Sequence, residues 1–348
     1  MKSYQQRIQH FRGTAYDVGY ASGQRLGSQL EQNIVQYQAI RSESSASVQW
    51  NLLRTGAIPW LRQLPKRYQD EFAGLAEGAG ITLQRVAEWV YFETILTAGC
   101  SGFVVYSGGH AWIGRNNDMF VPSMWGYVLI REISGRIPTI SLSLEGDIFS
   151  PSGLNQDHLW IHHQYLPVSD KPRNTKPHFP SYVFVTEALE TCSTIYDVES
   201  LLQRFDRDDG MLLLVVDGTT EEAAIFECTC QQALKRRPVD QRLLCTNHPC
   251  LLTPDQTSEE SQKRYHRLQE LVWRHDQAEM DIPSDLIQIL ADDAIERRDQ
   301  DFGTVYSVVV CPGTRTLWYT LGGYPAASQG NWQPIPWPWN STGGRPKM

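Results

Sequence analysis

From residue 100 onward the chain is written as short alternating segments joined by tight turns, and that texture restricts the folds open to it. Cys100–Tyr106 and Ala111–Asn116 flank Ser107-Gly108-Gly109-His110, a strong hairpin signal. Tyr127–Ile133 and Pro138–Leu144 flank Ser134-Gly135-Arg136, Leu212–Val216 and Ala223–Cys228 flank Asp217-Gly218, and Thr304–Cys311 and Thr316–Thr320 flank Pro312-Gly313. Helical spacing interrupts these strands at about Val183–Leu189, Val198–Phe205, Ser261–His275 and Leu286–Ala291. Successive antiparallel hairpins with grouped helices point to a layered α+β fold rather than a parallel α/β one.

The first hundred residues read differently, as helices. Leu26, Leu30, Ile34 and Tyr37 recur at helical spacing before a polar stretch, Arg41–Ser47. Phe72, Leu75 and Ala76 suit a second amphipathic helix that stops at the Gly78–Gly80 run, and Thr82 can cap a third carrying Val86, Val90 and Ile95. Lys171–Pro180 reads as an exposed connection or a lid. The Pro- and Trp-rich tail from Tyr324 is expected to pack in extended form across a surface.

Composition excludes several classes. A net charge of −8 argues against a broadly basic surface for nucleic acid. No run approaches the roughly 18 apolar residues of a membrane span, and the N-terminus has no secretory apolar core, so the chain reads as cytoplasmic. Seven cysteines, an odd number in 348 residues, are not a disulfide framework. The sequon Asn340-Ser341-Thr342 carries little weight without secretion.

The first hairpin gathers chemistry at one end. If Gly108 and Gly109 form the loop, Ser107 pairs with His110 and Cys100 lies opposite Asn117. Arg115 then shares the face of Cys100, and Asp118 lies level with the Cys100 nitrogen. A three-residue loop would instead put Asp118 opposite Cys100. Either register converges a cysteine, an arginine and an aspartate. Arginine eases ionisation of a thiol, and the thiolate is the nucleophile. If the Gly99–Cys100 bond were cut, the freed α-amino group could serve as base, with Asp118 holding it in position. The intact precursor would be latent, because an amide nitrogen is no base. Gly99 leaves room around its carbonyl for attack by the sulfur.

Five patterns occur in order: Ala98-Gly99-Cys100, Gly114-Arg115-Asn116-Asn117-Asp118, Gly153-Leu154-Asn155, Cys245-Thr246-Asn247-His248 and Thr304-Val305-Tyr306-Ser307-Val308-Val309. Together with Gly13–Gly19 and Gly74–Ile81, they make the chain resemble the acyl-coenzyme A:6-aminopenicillanic acid acyltransferase family of autoproteolytic hydrolases, over about residues 12–324. The resemblance implies a four-layer αββα sandwich with two antiparallel sheets. It implies self-cleavage into a helical propeptide that becomes the small subunit, 1–99, and a catalytic subunit, 100–348. It makes Cys100 the nucleophile, with Arg115 and Asp118 beside it. Asn247 would donate its side-chain N–H to the oxyanion, and Asn155 would contribute through backbone or side chain. Asn117 and Ser307 take supporting parts. The implied substrate is a linear N-acyl amide, with acyl-coenzyme A as a candidate donor. The implied partner is the chain's own second fragment, with further self-association open; no cofactor, metal, nucleic acid or membrane is called for. The segment His158–Gln164 departs from the family pattern, as does Asn117, which leaves the substrate open and keeps a processing-competent but catalytically degenerate relative in view.

A rival reading is a zinc-stabilised binding protein built on Cys228, Cys230, Cys245, His248 and Cys250. Their spacing is not a standard zinc pattern, and the flanking residues read as core strands. His162 and His163, being adjacent, would face opposite ways in a strand, one lining a pocket and the other solvated. Trp112, Trp160 and Trp318 are assigned to the core or a pocket wall.

Overall fold

A computed structural model describes residues 7–42, 56–94, 99–120, 126–144, 149–173, 178–253, 258–274, 279–300, 302–320 and 322–339. Ile95, Ala98, the stretch 43–47 and the sequon at 340–342 lie outside them. The hairpins form where the turn residues place them. β2 (Gly99–Ser107) turns through Gly108 and Gly109, both at positive φ, into β3 (His110–Phe120), with Ser107 opposite His110. The two-residue loop is therefore the one adopted, and it puts Cys100 opposite Asn117.

Two sheets result. One runs β1 (Ile8–Gly13), β4 (Gly126–Ile133), β5 (Thr139–Leu144), β6 (Ser152–Asn155), β7 (Leu159–Leu166), β10 (Gly210–Asp217), β11 (Glu222–Cys228), β12 (Ala233–Arg236). The other runs β13 (Arg242–Cys245), β2, β3, β14 (Phe302–Cys311), β15 (Thr316–Thr320), β16 (Trp332–Pro334). Alternation decides which residues fill each interface. Val104, Ile113, Val308 and Val310 meet Leu154, Trp160, Leu212 and Leu214 between the sheets. Ser152 Oγ and Tyr306 Oη bridge the same gap at 2.9 Å. The opposite face of the six-stranded sheet, with Phe103, Val105, Leu244 and Val309, packs on Leu268, Leu271, Leu286 and Ile289. Those four come from α6 (Glu259–Arg274) and α7 (Ser284–Leu290). The outer face of the eight-stranded sheet is covered by α4 (Ser181–Thr191) and α5 (Ile195–Arg204), the latter started by a Thr194–Asp197 capping box. The α+β order is thus helix, sheet, sheet, helix. The Trp-rich tail begins with a short helix, Ala326–Gln329, and runs extended only after it: it ends the six-stranded sheet as β16, and Ile335 and Trp339 are buried beyond it.

The segment before Cys100 is not purely helical. Its strand β1 pairs in parallel with β4, Ile8 opposite Val128 through Gly13 opposite Ile133. This edge strand was not expected, because six residues reading IQHFRG carry no apolar alternation. Next come α1 (Ala15–Ser42), a helical stretch at 56–63, α2 (Lys66–Ala79) and α3 (Leu83–Thr94). Helices α1 and α2 touch backbone to backbone. A Cβ on Gly23 would sit 2.3 Å from the Leu75 carbonyl oxygen, and one on Gly78 2.1 Å from that of Tyr20. Only glycine permits that approach.

A buried ion network ties this segment to the sandwich. Arg67 and Glu71 of α2 meet Arg131 of β4 and Glu187 and Glu190 of α4. Arg136 reaches Glu187 at 3.0 Å, and Tyr68 Oη donates to the same carboxylate at 2.8 Å. Three arginines thus face three glutamates. Burial pushes the Glu190 carboxyl up from its ordinary range, against the pull of Arg131 and Arg67. Removing one member of such a set strands a buried charge. Arg131→Met, which leaves Glu71 and Glu190 underneutralised, is expected to cost about 3–5 kcal/mol. Urea denaturation followed by tryptophan fluorescence measures this; a loss below about 1 kcal/mol would show the network to be energetically idle.

Candidate active site

Cys100 is the second residue of β2 and points between the sheets, with 1% of its surface exposed. Arg115, two residues before its partner Asn117 on β3, shares that face, as alternation requires. Arg115 Nη2 lies 3.5 Å from Cys100 Sγ and donates at 2.6 Å to Asn117 Oδ1, while Nη1 donates to the Pro151 carbonyl at 3.2 Å. Asn117 Oδ1 is also 3.6 Å from the sulfur, placed to accept from the thiol. Burial raises the Cys100 thiol from its ordinary value, and the Arg115 cation opposes that rise. Burial thus favours the neutral thiol, and the guanidinium beside it is the largest influence toward the thiolate, ahead of the Asp118 backbone and Arg264.

The backbone of Cys100 is held from the other side. Its N–H donates to Asn247 Oδ1 at 2.9 Å, and its carbonyl accepts from Arg264 Nη1 at 2.6 Å. Arg264, on the buried stripe of α6 with Ser261 and Leu268, also donates to Ser101 Oγ at 2.8 Å and Asn247 Oδ1 at 2.9 Å. It is anchored by Glu260 at 2.6 Å and lies 4.0 Å from Asp118. The sequence reading missed Arg264. Its only local sign was a cation four residues before Leu268 and seven before Leu271 on one helix.

Asp118 lies opposite Gly99, on the helix-facing side of the sheet. Its Oδ1 accepts from Thr304 Oγ1 at 2.7 Å, whereas Oδ2 is buried without a hydrogen-bond donor. Burial lifts this carboxyl to about 6, against Arg264 and the Thr304 hydroxyl, which favour the charged form. A Cβ on Gly99 would meet Phe302 Cε1 at 3.3 Å and Asp118 Cβ at 3.4 Å, so the residue before Cys100 sits in close quarters.

Asn247 follows β13 in a turn fixed by neighbours. Ser261 Oγ accepts its backbone N–H at 2.7 Å, and its Nδ2 donates to the Tyr165 carbonyl at 3.0 Å. Glu227, fully buried, receives the backbone N–H groups of Cys250, Leu251 and Leu252 at 2.7–3.1 Å and so pins the rest of the turn. In the intact chain Asn247 acts on Cys100 through its oxygen, accepting from the Cys100 nitrogen, and its N–H is directed to Tyr165.

Gly99, Cys100, Arg115, Asn117, Asp118 and Asn247 thus come together. Two other candidates do not join them. The Asn155 amide faces the outer helix layer, donating to the carbonyls of Leu189 and Cys192 at 2.9 and 2.8 Å and accepting from Leu159 N. That corrects the side-chain half of its expected part, since strand alternation turns it away from the sulfur. Ser307 Oγ donates to Asn116 Oδ1 at 2.7 Å, and Asn116 in turn donates to the Leu290 carbonyl. Ser307 therefore braces β3 from the helix side. Both histidines of β7 are buried, so neither is solvated. His162 faces inward, accepting from Trp160 Nε1 at 3.0 Å, and His163 faces Tyr182 of α4. Trp160 is core, while Trp112 and Trp318 half-cover the helix-side core.

The zinc reading fails on geometry. No three ligand-type side chains among the described residues converge on a metal-sized site. Cys228 and Cys230 each point a sulfur at a backbone carbonyl, Phe226 O and Asp170 O, and Cys250 is exposed. No helix among the described residues is long and apolar enough to cross a membrane.

Comparison with known proteins bears on the family and the fold. A family model described as Acyl-coenzyme A:6-aminopenicillanic acid acyl-transferase matches residues 106–325. A crystal structure of a variant of conjugated bile acid hydrolase from Clostridium perfringens superposes with a TM-score of 0.52 at 14% identity, covering 68% of this chain and 92% of that one. Penicillin V acylase from Agrobacterium tumefaciens does so with a TM-score of 0.50 at 14% identity, covering 68% and 86%. At such identities the likeness is one of fold. No curated protein gives a significant sequence match.

The Asp118 carboxyl offers a direct check. A group whose folded value, about 6, exceeds its ordinary 3.8 favours the fold fully at low pH, and that contribution is lost as pH rises through about 6. Carboxyl NMR of uncleavable Cys100→Ala protein should show Asp118 titrating near pH 6. In Arg264→Met it should titrate higher still, because a cation that favours the carboxylate is gone. An unmoved midpoint would mean that Arg264 does not act on Asp118.

Proposed function

Because the chain belongs to the acyl-coenzyme A:6-aminopenicillanic acid acyltransferase family, we propose that it is an N-terminal-nucleophile enzyme that cuts itself before Cys100 and then breaks or transfers an amide-linked acyl group through a Cys100 thioester. The observation that carries this is the grip on both reactive atoms of one residue: Arg115 Nη2 at 3.5 Å from the sulfur and Asn247 Oδ1 at 2.9 Å from the nitrogen.

In the first stage the Cys100 sulfur attacks the Gly99 carbonyl carbon. The Gly99–Cys100 C–N bond breaks, the nitrogen takes the thiol proton, and Gly99 is left as a thioester on Sγ. Water then cleaves the thioester, giving a Gly99 carboxylate, a free thiol and a free α-amine. The chain becomes fragments 1–99 and 100–348, a heterodimer held by the β1–β4 pairing and the buried ion network. In the second stage the amine takes the thiol proton. A linear N-acyl amide is attacked, its amine leaves protonated, and the acyl group rests on sulfur. Water as acceptor gives hydrolysis and an amine gives transfer; acyl-coenzyme A would load the same thioester from the donor side. An N–H preorganised for the developing oxyanion is typically worth about 3–4 kcal/mol of barrier. Asn247 Nδ2 is the candidate, once released from Tyr165. Asp118, 4.0 Å from Arg264, would steady the new ammonium when ionised, above about pH 6.

Intact-mass measurement tests the first stage and a panel of N-acyl amides, with and without acyl-coenzyme A, the second. Wild-type protein should yield fragments 1–99 and 100–348, and Cys100→Ala a single inert chain. A full-length wild type that turns over substrate would remove the proposed base and with it the mechanism.

A further inference from the structure

The two strands that frame the nucleophile part company where a side chain from the other sheet enters between them. β13 pairs with β2 from Arg242 opposite Val105 to Cys245 opposite Gly102, and there the ladder ends. The next carbonyl, that of Thr246, and the Gly102 N–H would be left without strand partners, and both residues are buried. The Gln164 carboxamide fills that gap. With its oxygen toward β2, it accepts from Gly102 N at 3.1 Å and donates through Nε2 to Thr246 O at 2.5 Å.

Gln164 is buried completely and belongs to β7, whose inward residues at this level are Trp160, His162 and Gln164. His162 accepts from Trp160 Nε1 through Nδ1, so its proton sits on Nε2, which lies 3.5 Å from the Gln164 carboxamide. That orientation sets the amide, because Gln164 presents its oxygen to both donors, His162 Nε2–H and Gly102 N–H. The space is available because residue 102 is glycine. A Cβ there would stand 2.6 Å from His162 Nε2 and 2.7 Å from the Gln164 amide. One step further along the parting strands a second carboxamide, Asn247, takes the Cys100 N–H.

We propose that Gln164 is a positioning residue for Cys100: its carboxamide replaces the backbone ladder between Gly102 and Thr246, and so sets the strand carrying Cys100 against the turn carrying Asn247. The inference rests on the proposed role of Cys100 for its consequences in activity, but the wedge itself does not need that role. Gln164 touches backbone on both sides and neither reactive atom, so its effect passes through placement. Misplacement on the scale of 1 Å costs roughly 100-fold in rate.

Two variants keep the test open. Gln164→Met fills the volume without either hydrogen bond. Gln164→Glu accepts from Gly102 in either state but donates to Thr246 O only when protonated. The titratable and charged groups around it are His162 on β7, kept neutral by burial and by Arg115, and Arg115 itself on β3. Gln164→Met should slow appearance of the 100–348 fragment by about 100-fold, while circular dichroism stays native. Gln164→Glu should be as slow at pH 8 and approach the wild-type rate as pH falls toward 5, which a merely space-filling role would not produce. Wild-type rates in both variants, or a Gln164→Glu profile parallel to that of wild type, overturn the proposal. In the uncleavable Cys100→Ala chain, Gln164→Met should also speed hydrogen exchange of the Gly102 amide at least 10-fold. Unchanged exchange there overturns the wedge, and a wild type that never cleaves while that exchange does change overturns only the reading of Cys100.

Discussion

A single hydrogen bond organises this molecule: the Cys100 N–H gives its proton to a side-chain oxygen, Asn247 Oδ1, instead of to a neighbouring strand. A strand residue in a sheet interior normally has both its backbone groups committed to the ladder. Here the ladder on the β13 side stops at Gly102, and side chains take over. The consequence is geometric freedom at one peptide bond inside an otherwise rigid sheet. The nitrogen of Cys100 is satisfied, yet its partner is one that an amide, an amine or an ammonium could all use. Arg264 completes the arrangement by holding the Cys100 carbonyl and Asn247 at once. The carbonyl side of Cys100 is thereby fixed by Arg264, while the nitrogen of the bond before it is held by the Asn247 side chain.

Charge is distributed around that bond by sheet face. The inward face carries Arg115 with the sulfur, and the helix-facing side carries Asp118, Thr304 and Arg264. Hydrogen bonds meet most of these burial penalties, but Arg115 Nε and Asp118 Oδ2 are buried without a partner. An uncompensated buried carboxylate oxygen is costly in a finished structure. The cation beside it is Arg264 Nη1 at 4.0 Å, and under the proposed cleavage a new ammonium at residue 100 would add a second. Burial drives this carboxyl up despite three neighbours that favour the charged form, Arg264, Thr304 and Arg297.

How much of this was legible depended on the range of the interaction. The hairpin around Gly108 and Gly109 was local, so the opposition of Cys100 to Asn117, and with it the place of Arg115, followed from counting. The later hairpins and the four helices expected after residue 180 were equally local, and they appear within a few residues of their expected bounds. Asn155 was drawn from a motif, and its amide proved to face outward, because nothing in a short turn signal says which sheet face a residue takes. Arg264 and Gln164 were invisible as site residues. Each lies far from Cys100 in sequence and reaches it only because a helix and a second sheet pack against β2. β1 escaped for the same reason: a parallel pairing across more than a hundred residues leaves no pattern in either strand.

That parallel strand changes what the segment before Cys100 can be. A leader that merely covered a site could detach once severed. This one supplies an edge strand of the eight-stranded sheet, and Leu61, Tyr68, Phe72 and Trp89 lie in the same core as the strands of the sandwich. It also contributes Arg67 and Glu71 to a network whose other half is fixed in β4 and α4. Departure would expose that core and break a balanced set of buried charges, each of which is expensive alone. Cutting one peptide bond removes none of these contacts. The proposed cleavage therefore changes the chemistry of one nitrogen while leaving the architecture that positions it intact, and the fold's stability and its activation rest on separate sets of residues.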